Sequence, residues 1–256
     1  MRLVVLGSGT SFGVPVLGCD CAVCRSDDPR DRRTRVAAVV EEAGTRLLID
    51  TPPEVRLQLV AAGVRAVDGV LYTHDHADHV HGIDDLRALS GRRGALPIYG
   101  SADVLARIGA RFPYIFDPRI RPPPGTSKPE LVPTALAPWR ETPVAGLPVL
   151  PLPVPHGDLE VFAYRIGPAG YVTDAKAVPP AVIDRLRGVR LLVLNALFEQ
   201  PHPTHLSIPE AIDVARAVGA ERTLLTHLTH RRSHAALSAR LPSGIEPAYD
   251  GLVAAF

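Results

Sequence analysis

The segment Tyr72-Thr73-His74-Asp75-His76-Ala77-Asp78-His79 constrains this chain more than any other. It follows a strand-like run and opens a helical one. Its polar side chains therefore project from the carboxyl end of a strand, where α/β proteins build their sites. Neutral imidazoles and a carboxylate are the donors that a borderline divalent ion such as zinc takes at about 2.0 to 2.2 Å. His74 and His76, two apart, can converge on one ion. Asp78 and His79, entering the helix, would face a second ion about 3.5 to 4 Å away. Two ions need more ligands than four, and His156, Asp174 and His227 each follow another strand-like segment.

Short apolar, β-branched runs at residues 3–6, 36–40, 46–49, 69–72, 97–99, 161–166, 171–173, 190–194 and 223–225 predict strands. Helical spacing appears at residues 53–62, 79–89, 102–111, 179–186, 208–218 and 234–241. This alternation predicts an α/β class with layered packing. The length of 256 residues fits one domain or two small ones, and the chain is read as a single domain spanning 1–256. Proline gathers between residues 113 and 155, including Pro122-Pro123-Pro124 and Pro151-Leu152-Pro153. That stretch predicts an irregular loop over a site rather than a domain linker, because strand-like sequence and histidines resume on both sides.

Charge narrows the partners. Against 27 acidic residues stand 28 basic ones, without the positive excess that a nonspecific nucleic-acid binder uses on phosphates, so no nucleic-acid polymer is expected. No run approaches the roughly 18 apolar residues of a membrane span, and the first apolar stretch stops at Gly7-Ser8-Gly9. Cys19, Cys21 and Cys24 are too few and too tightly spaced for a secreted disulfide framework, so the chain reads as cytoplasmic with a metal-binding loop. Three thiolates on such a loop need one more ligand from elsewhere in the chain for a closed tetrahedral zinc site.

His-x-His-x-Asp-His followed by a spaced His, Asp and His resembles the metallo-β-lactamase-fold signature. Gly7-Ser8-Gly9-Thr10-Ser11, Gly13-Val14-Pro15, Gly18-Cys19-Asp20-Cys21, Cys24 and Thr226-His227-Leu228-Thr229-His230 resemble the branch containing phosphoribosyl 1,2-cyclic phosphate phosphodiesterase, the PhnP-like proteins. The resemblance implies a four-layer αββα sandwich. It places His74, His76 and His156 on one ion, Asp78, His79 and His227 on the other, and Asp174 and a hydroxide bridging both. In the same branch the three cysteines and His230 hold a structural zinc. Zinc, manganese and iron all suit the catalytic pair. By analogy Asp50 steadies the metal loop; its alternative is a helix N-cap before Pro52.

His205, in Pro203-Thr204-His205-Leu206-Ser207, resembles the extra histidine that phosphodiesterase members place beside the scissile phosphate, where it assists the leaving oxygen. His202 merely flanks the site, and His81 and His234 are read as solvated helix residues. Arg30, Arg32, Arg33 and Arg35 are read as a solvated charged loop. Tyr114, Phe116 and Trp139 either line a pocket or anchor their segment. The expected activity is hydrolysis of a small cyclic phosphodiester, a phosphoribosyl 1,2-cyclic phosphate or 2′,3′-cyclic nucleotide, by a metal-bridging hydroxide. Thioester or lactone hydrolysis on the same ions is the alternative, as is a noncatalytic accessory role like that of the pyrroloquinoline quinone biosynthesis protein B family. The expected partner is a small-molecule phosphodiester; a homodimer stays open because relatives are often dimeric.

Overall fold

The computed structural model describes residues 1–91 and 94–256. The first sheet is built from β1 (Arg2–Gly7), β2 (Ala37–Glu42), β3 (Thr45–Ile49), β4 (Gly69–Leu71), β5 (Leu96–Gly100) and β6 (Leu131–Ala135). The second takes β7 (Thr142–Val144), β8 (Leu147–His156), β9 (Leu159–Ile166), β10 (Ala169–Val172), β11 (Leu191–Asn195), β12 (Arg222–Thr226) and β13 (Ile245–Pro247). Finally β14 (Val253–Ala255) returns to the first sheet and pairs antiparallel with β1. The orders are β14-β1-β2-β3-β4-β5-β6 and β13-β12-β11-β10-β9-β8-β7.

Both faces of each sheet are covered, which is why these strands read as unbroken apolar runs instead of alternating ones. Leu3, Val5, Leu47 and Ile49 meet Val149, Phe162, Ile166, Leu191 and Val193 between the sheets. The residues between them in sequence, Val4, Leu6 and Leu48, turn outward to α1 (Val55–Ala61) and α3 (Ala102–Arg111). On the far side Leu192 and Leu194 pack with α5 (Pro180–Leu186) and α6 (Ile208–Val218). The layers are helix, sheet, sheet, helix, the αββα sandwich. No helix among the described residues is long and apolar enough to cross a membrane.

Two expectations need correction. The proline-rich stretch is an irregular loop only over residues 117–130; beyond them it carries β6, β7 and the ten-residue strand β8. In β8 the prolines at 151, 153 and 155 fall at every second position, and Pro151 and Pro155 turn their carbonyls away from β9, toward the amides of Trp139 and Lys176. The residues between them keep their N–H groups for β9, so the ladder loses no donor; proline is tolerated where a strand faces its sheet's edge. The helix expected over residues 79–89 is divided into α2 (Ala77–Val80) and a 3₁₀ turn, Ile83–Ala88. Gly82 separates them, and a Cβ there would stand 2.1 Å from the Pro52 carbonyl oxygen. Its amide donates to Thr51 O, and the Thr51 amide in turn donates to His79 O.

This close approach gives a stability prediction. Gly82→Ala is expected to lower the unfolding free energy by about 2 to 3 kcal/mol through backbone displacement, read from urea denaturation. An unchanged midpoint would mean the loop accommodates the methyl group freely.

Candidate metal centre

The site lies at the carboxyl ends of the parallel strands β3, β4, β10 and β12. Asp50, Asp174 and His227, at or just past three of those ends, adopt left-handed backbone with φ of 61°, 56° and 59°. Such conformations cost about 1 to 3 kcal/mol each in non-glycine residues and persist where surrounding contacts impose them. Here they turn the chain sharply so that three polar side chains aim at one point. Asn195, at the end of β11, clamps one of these turns by accepting from Ala175 N at 2.9 Å and donating to Ala175 O at 3.1 Å.

The structure brings all seven sequence-predicted ligands together. Donor atoms of His74, His76, His156 and Asp174 lie within 4.8 Å of one another, as do those of Asp78, His79 and His227. Asp174 stands between the groups: Oδ1 is 3.4 Å from His79 Nε2, while Oδ2 is 3.9 Å from His74 Nε2, 4.0 Å from His156 Nε2 and 3.4 Å from His227 Nε2. His205 joins the same carboxylate, with Nε2 at 3.2 Å from Oδ2.

Hydrogen bonds fix which ring nitrogen faces inward. The Asp50 carboxylate, wholly buried, accepts from Thr73 N and His79 Nδ1 at 2.9 and 2.8 Å. It also accepts the Thr73 hydroxyl at 2.8 Å, leaving that oxygen to accept from His74 Nδ1 at 3.0 Å. His156 Nδ1 donates to Thr204 O at 2.8 Å. In all three rings the Nδ1–H is engaged and Nε2 is turned inward. Asp50 is thus the carboxylate behind the metal loop; the N-cap position of α1 belongs to Glu54.

The donor set fits divalent cations. The Nε2 atoms of His74, His79 and His227 are buried with no hydrogen-bond partner among the described residues. A buried polar atom left unpaired costs about 1 to 3 kcal/mol, which a coordinated cation would offset. Burial, helped by the charge of His79, holds the His74 pKa well below its ordinary value and keeps it in the neutral form a metal needs. Burial also opposes charging of His79, yet the Asp174 and Asp50 carboxylates overcome it and raise its pKa well above the ordinary value. Asp174 is desolvated too, but His227 and His79 hold its pKa well below the carboxylate range.

A second cluster lies nearby. Cys19, Cys21 and Cys24 place their Sγ atoms 3.3, 3.5 and 3.4 Å from His230 Nδ1. A zinc tetrahedron with bonds of about 2.0 to 2.3 Å has S···N edges of about 3.6 Å, so His230 Nδ1 already stands near the required spacing from all three thiols. Ahead of the loop, the chain just past β1 is held against the C-terminal half by Leu228 N donating to Ser8 O at 2.9 Å.

Some side chains lie elsewhere than expected. Arg33 is not solvated: it is buried, pairs with Asp31 at 3.2 Å and donates to the carbonyls of Thr229 and Arg232 on either side of His230. Arg30 and Arg32 are exposed and Arg35 pairs with Glu54. His234 is likewise buried, its amide donating to Asp31 Oδ1 at 2.6 Å, because α7 (His234–Ser238) docks on the Pro29–Asp31 turn; His81 is exposed. Tyr114 and Phe116 anchor α4 (Pro113–Phe116) on the outer helical layer, Tyr114 through Asp84 at 2.8 Å. Sequence reasoning missed Asn195, whose only signal is a polar residue closing an apolar run. It also missed Asp75, whose carboxylate Arg107 and Arg111 clamp at 2.8 and 3.1 Å.

Residues 45–228 match the model of the beta-lactamase superfamily domain. The chain is 38% identical to a diphosphatase from the PhnP family of solved structure, with a TM-score of 0.91 over 100% of this chain and 97% of that one. Zn(2+)-bound PqqB from Methylobacterium extorquens shares the fold, with 20% identity and a TM-score of 0.81 over 100% of both chains. An octanoyltransferase from Porphyromonas gingivalis is 42% identical over 260 residues, covering 99% of this chain and 51% of that protein. The chain spans about half to two-thirds of the length of such curated relatives.

Two outcomes follow from this geometry. Asp50→Ala is expected to weaken metal binding about 10- to 100-fold in chelator competition, with His79 free to turn. Because a raised His79 pKa leaves this ring protonated in metal-free protein near neutrality, metal uptake displaces a proton. Apparent affinity therefore falls as pH drops from 8 to 6, measured by titration calorimetry in buffers of different ionisation enthalpy; affinity independent of pH would contradict this.

Proposed function

Because the chain belongs to the beta-lactamase superfamily, whose domain model it matches over residues 45–228, we propose that its histidine and aspartate cluster is a dinuclear hydrolytic centre for a small cyclic phosphodiester. One cation would be held by His74, His76 and His156, the other by Asp78, His79 and His227, with Asp174 shared. Bound there, divalent cations supply neutralisation of phosphoryl oxygens and a water of lowered pKa. Cys19, Cys21, Cys24 and His230 would hold a separate structural zinc.

The observation that carries this reading is His205. Its ring stands 4.6 Å from that of His227 and 4.8 Å from that of His156, with Nε2 turned toward the shared carboxylate. Its side chain is 12% exposed, more than His74, His79, His156 and His227 at 5% or less and close to Asp78 at 14%, so it sits on the more open side of the cluster. A proton donor at that point serves a leaving alkoxide, which is a strong base. A thiolate, with a pKa of about 8.5, departs without one, so the arrangement favours an oxygen leaving group over a thioester. The likeness to a diphosphatase at 38% identity favours phosphorus over a lactone carbonyl and supports a second reading, cleavage of a phosphoanhydride. In the octanoyltransferase the matched segment is half the protein, so its name weighs less.

Metal-loaded protein is expected to hydrolyse a cyclic phosphodiester faster than a diphosphate, thioester or lactone, followed by product chromatography. His205→Ala should lower kcat on an alkyl leaving group by about 100-fold and spare nitrophenyl diesters by comparison. Cleavage of the diphosphate alone would establish the second reading. No turnover of any of them by fully loaded protein would assign the chain a noncatalytic role.

A further inference from the structure

Beside the His74, His76 and His156 candidates lies a cavity of about 530 Å³, lined by α3, the residues after β6 and the turn between β8 and β9. Each of its walls touches a segment that carries a ligand candidate. Arg107, on α3, donates from Nε to the Asp75 carboxylate at 2.8 Å, and Asp75 stands in sequence between His74 and His76. Phe162 N, on β9, donates at 3.0 Å to Thr73 O, one residue before His74. Asp158 and Leu159 lie in the turn after His156, and Leu159 pairs with that histidine across the turn. A substrate whose phosphorus reaches the metal centre therefore has room here for its remaining part. The volume falls within the roughly 300 to 1,000 Å³ of pockets that take drug-sized ligands.

We propose that this cavity receives the nonreacting arm of the substrate and that Asp103, Asp158 and Glu160 restrict this arm to groups without phosphate. The preferred substrate is then a nucleoside 2′,3′-cyclic phosphate, and a cyclic diester with a further phosphate, as in phosphoribosyl 1,2-cyclic phosphate, is disfavoured. The proposal rests on the function proposed above and narrows its substrate class. Its basis is charge. Three carboxylates line the cavity, and Arg107 is the one cation in the lining among the described residues. That guanidinium is already engaged by Asp75, whose carboxylate also pairs with Arg111 at 3.1 Å. Asp103, Asp158 and Glu160 are exposed and have no cation paired to them among the described residues. A terminal phosphate carries close to two negative charges at neutral pH and meets like charge on entering, which is how a site rejects a wrong partner. Ribose hydroxyls stand in the opposite relation, since they donate to carboxylates and accept from a guanidinium. Buried Leu136 and Phe162, with exposed Pro138 and Leu159, offer apolar surface to a base.

The test compares adenosine 2′,3′-cyclic phosphate with the same molecule phosphorylated on its 5′ oxygen, in zinc-loaded protein. In wild type kcat/KM is expected to be about tenfold or more higher for the unphosphorylated substrate, with the difference mainly in KM. The ratio should shrink as salt rises from about 50 to about 500 mM, because exposed charges are screened. Asp158→Asn combined with Glu160→Gln brings the formal charge of the lining to zero on an exposed turn. With metal content and circular dichroism matched to wild type, this double variant should bring the ratio of the two substrates close to one. A wild type that prefers the 5′-phosphorylated substrate or treats both alike, or a double variant that keeps the wild-type ratio, overturns the proposal. If neither diester is cleaved, the proposed function fails, and binding decides the cavity's selectivity. In titration calorimetry adenosine 3′-phosphate should then bind zinc-loaded protein about tenfold more tightly than adenosine 3′,5′-bisphosphate; equal or reversed affinities overturn the inference.

Discussion

The carboxylate of Asp174 is the constraint around which this structure is organised. It is almost wholly buried, and imidazoles from four separate stretches of chain approach its two oxygens. An isolated charge at such depth is strongly disfavoured unless something of opposite sign is present. The charge is not free to leave, because its pKa is held low by the rings around it. A cluster rich in inward-facing neutral nitrogens around one carboxylate is an arrangement that divalent cations complete.

Holding that arrangement takes backbone geometry that ordinary residues avoid. Asp50, Asp174 and His227 each bend in left-handed conformation, and each bend is fastened by neighbours: Thr73 and His79 on Asp50, Asn195 on the residue after Asp174, Ser8 on the residue after His227. The last of these crosses between the sheets and between the chain's two halves. The cysteine cluster and buried Arg33 belong to this scheme, since both grip the turn that carries His227 and His230. The cluster that would hold a structural zinc therefore acts on the position of a catalytic-ligand candidate only three residues away.

Much of the centre is legible in one dimension because its residues obey short-range rules. His74, His76, Asp78 and His79 sit on one strand-to-helix turn, and such a turn aims its side chains locally whatever the rest of the chain does. His156, Asp174 and His227 are legible for a similar reason, as isolated polar residues just where apolar runs stop. The β8 prolines mislead because their effect depends on which side of the strand has a partner, and that is a property of the sheet. Arg33 and His234 mislead because a charged run looks solvated until another segment closes over it.

The sequence alone determined the kinds of donor atom, their attachment to strand ends and the layered α/β class, since these follow from residue chemistry and periodicity along the chain. Tertiary structure alone decided that Asp50 backs His79 and does not cap a helix, that Asn195 pins the Asp174 turn, and that Thr204 stands between His202 and His205 while its carbonyl holds His156. Those contacts join residues 20 to 48 positions apart, or neighbours whose rotamers a distant segment fixes. Hydrogen bonds are short and directional, so no pattern along the chain specifies them until the two sheets have packed.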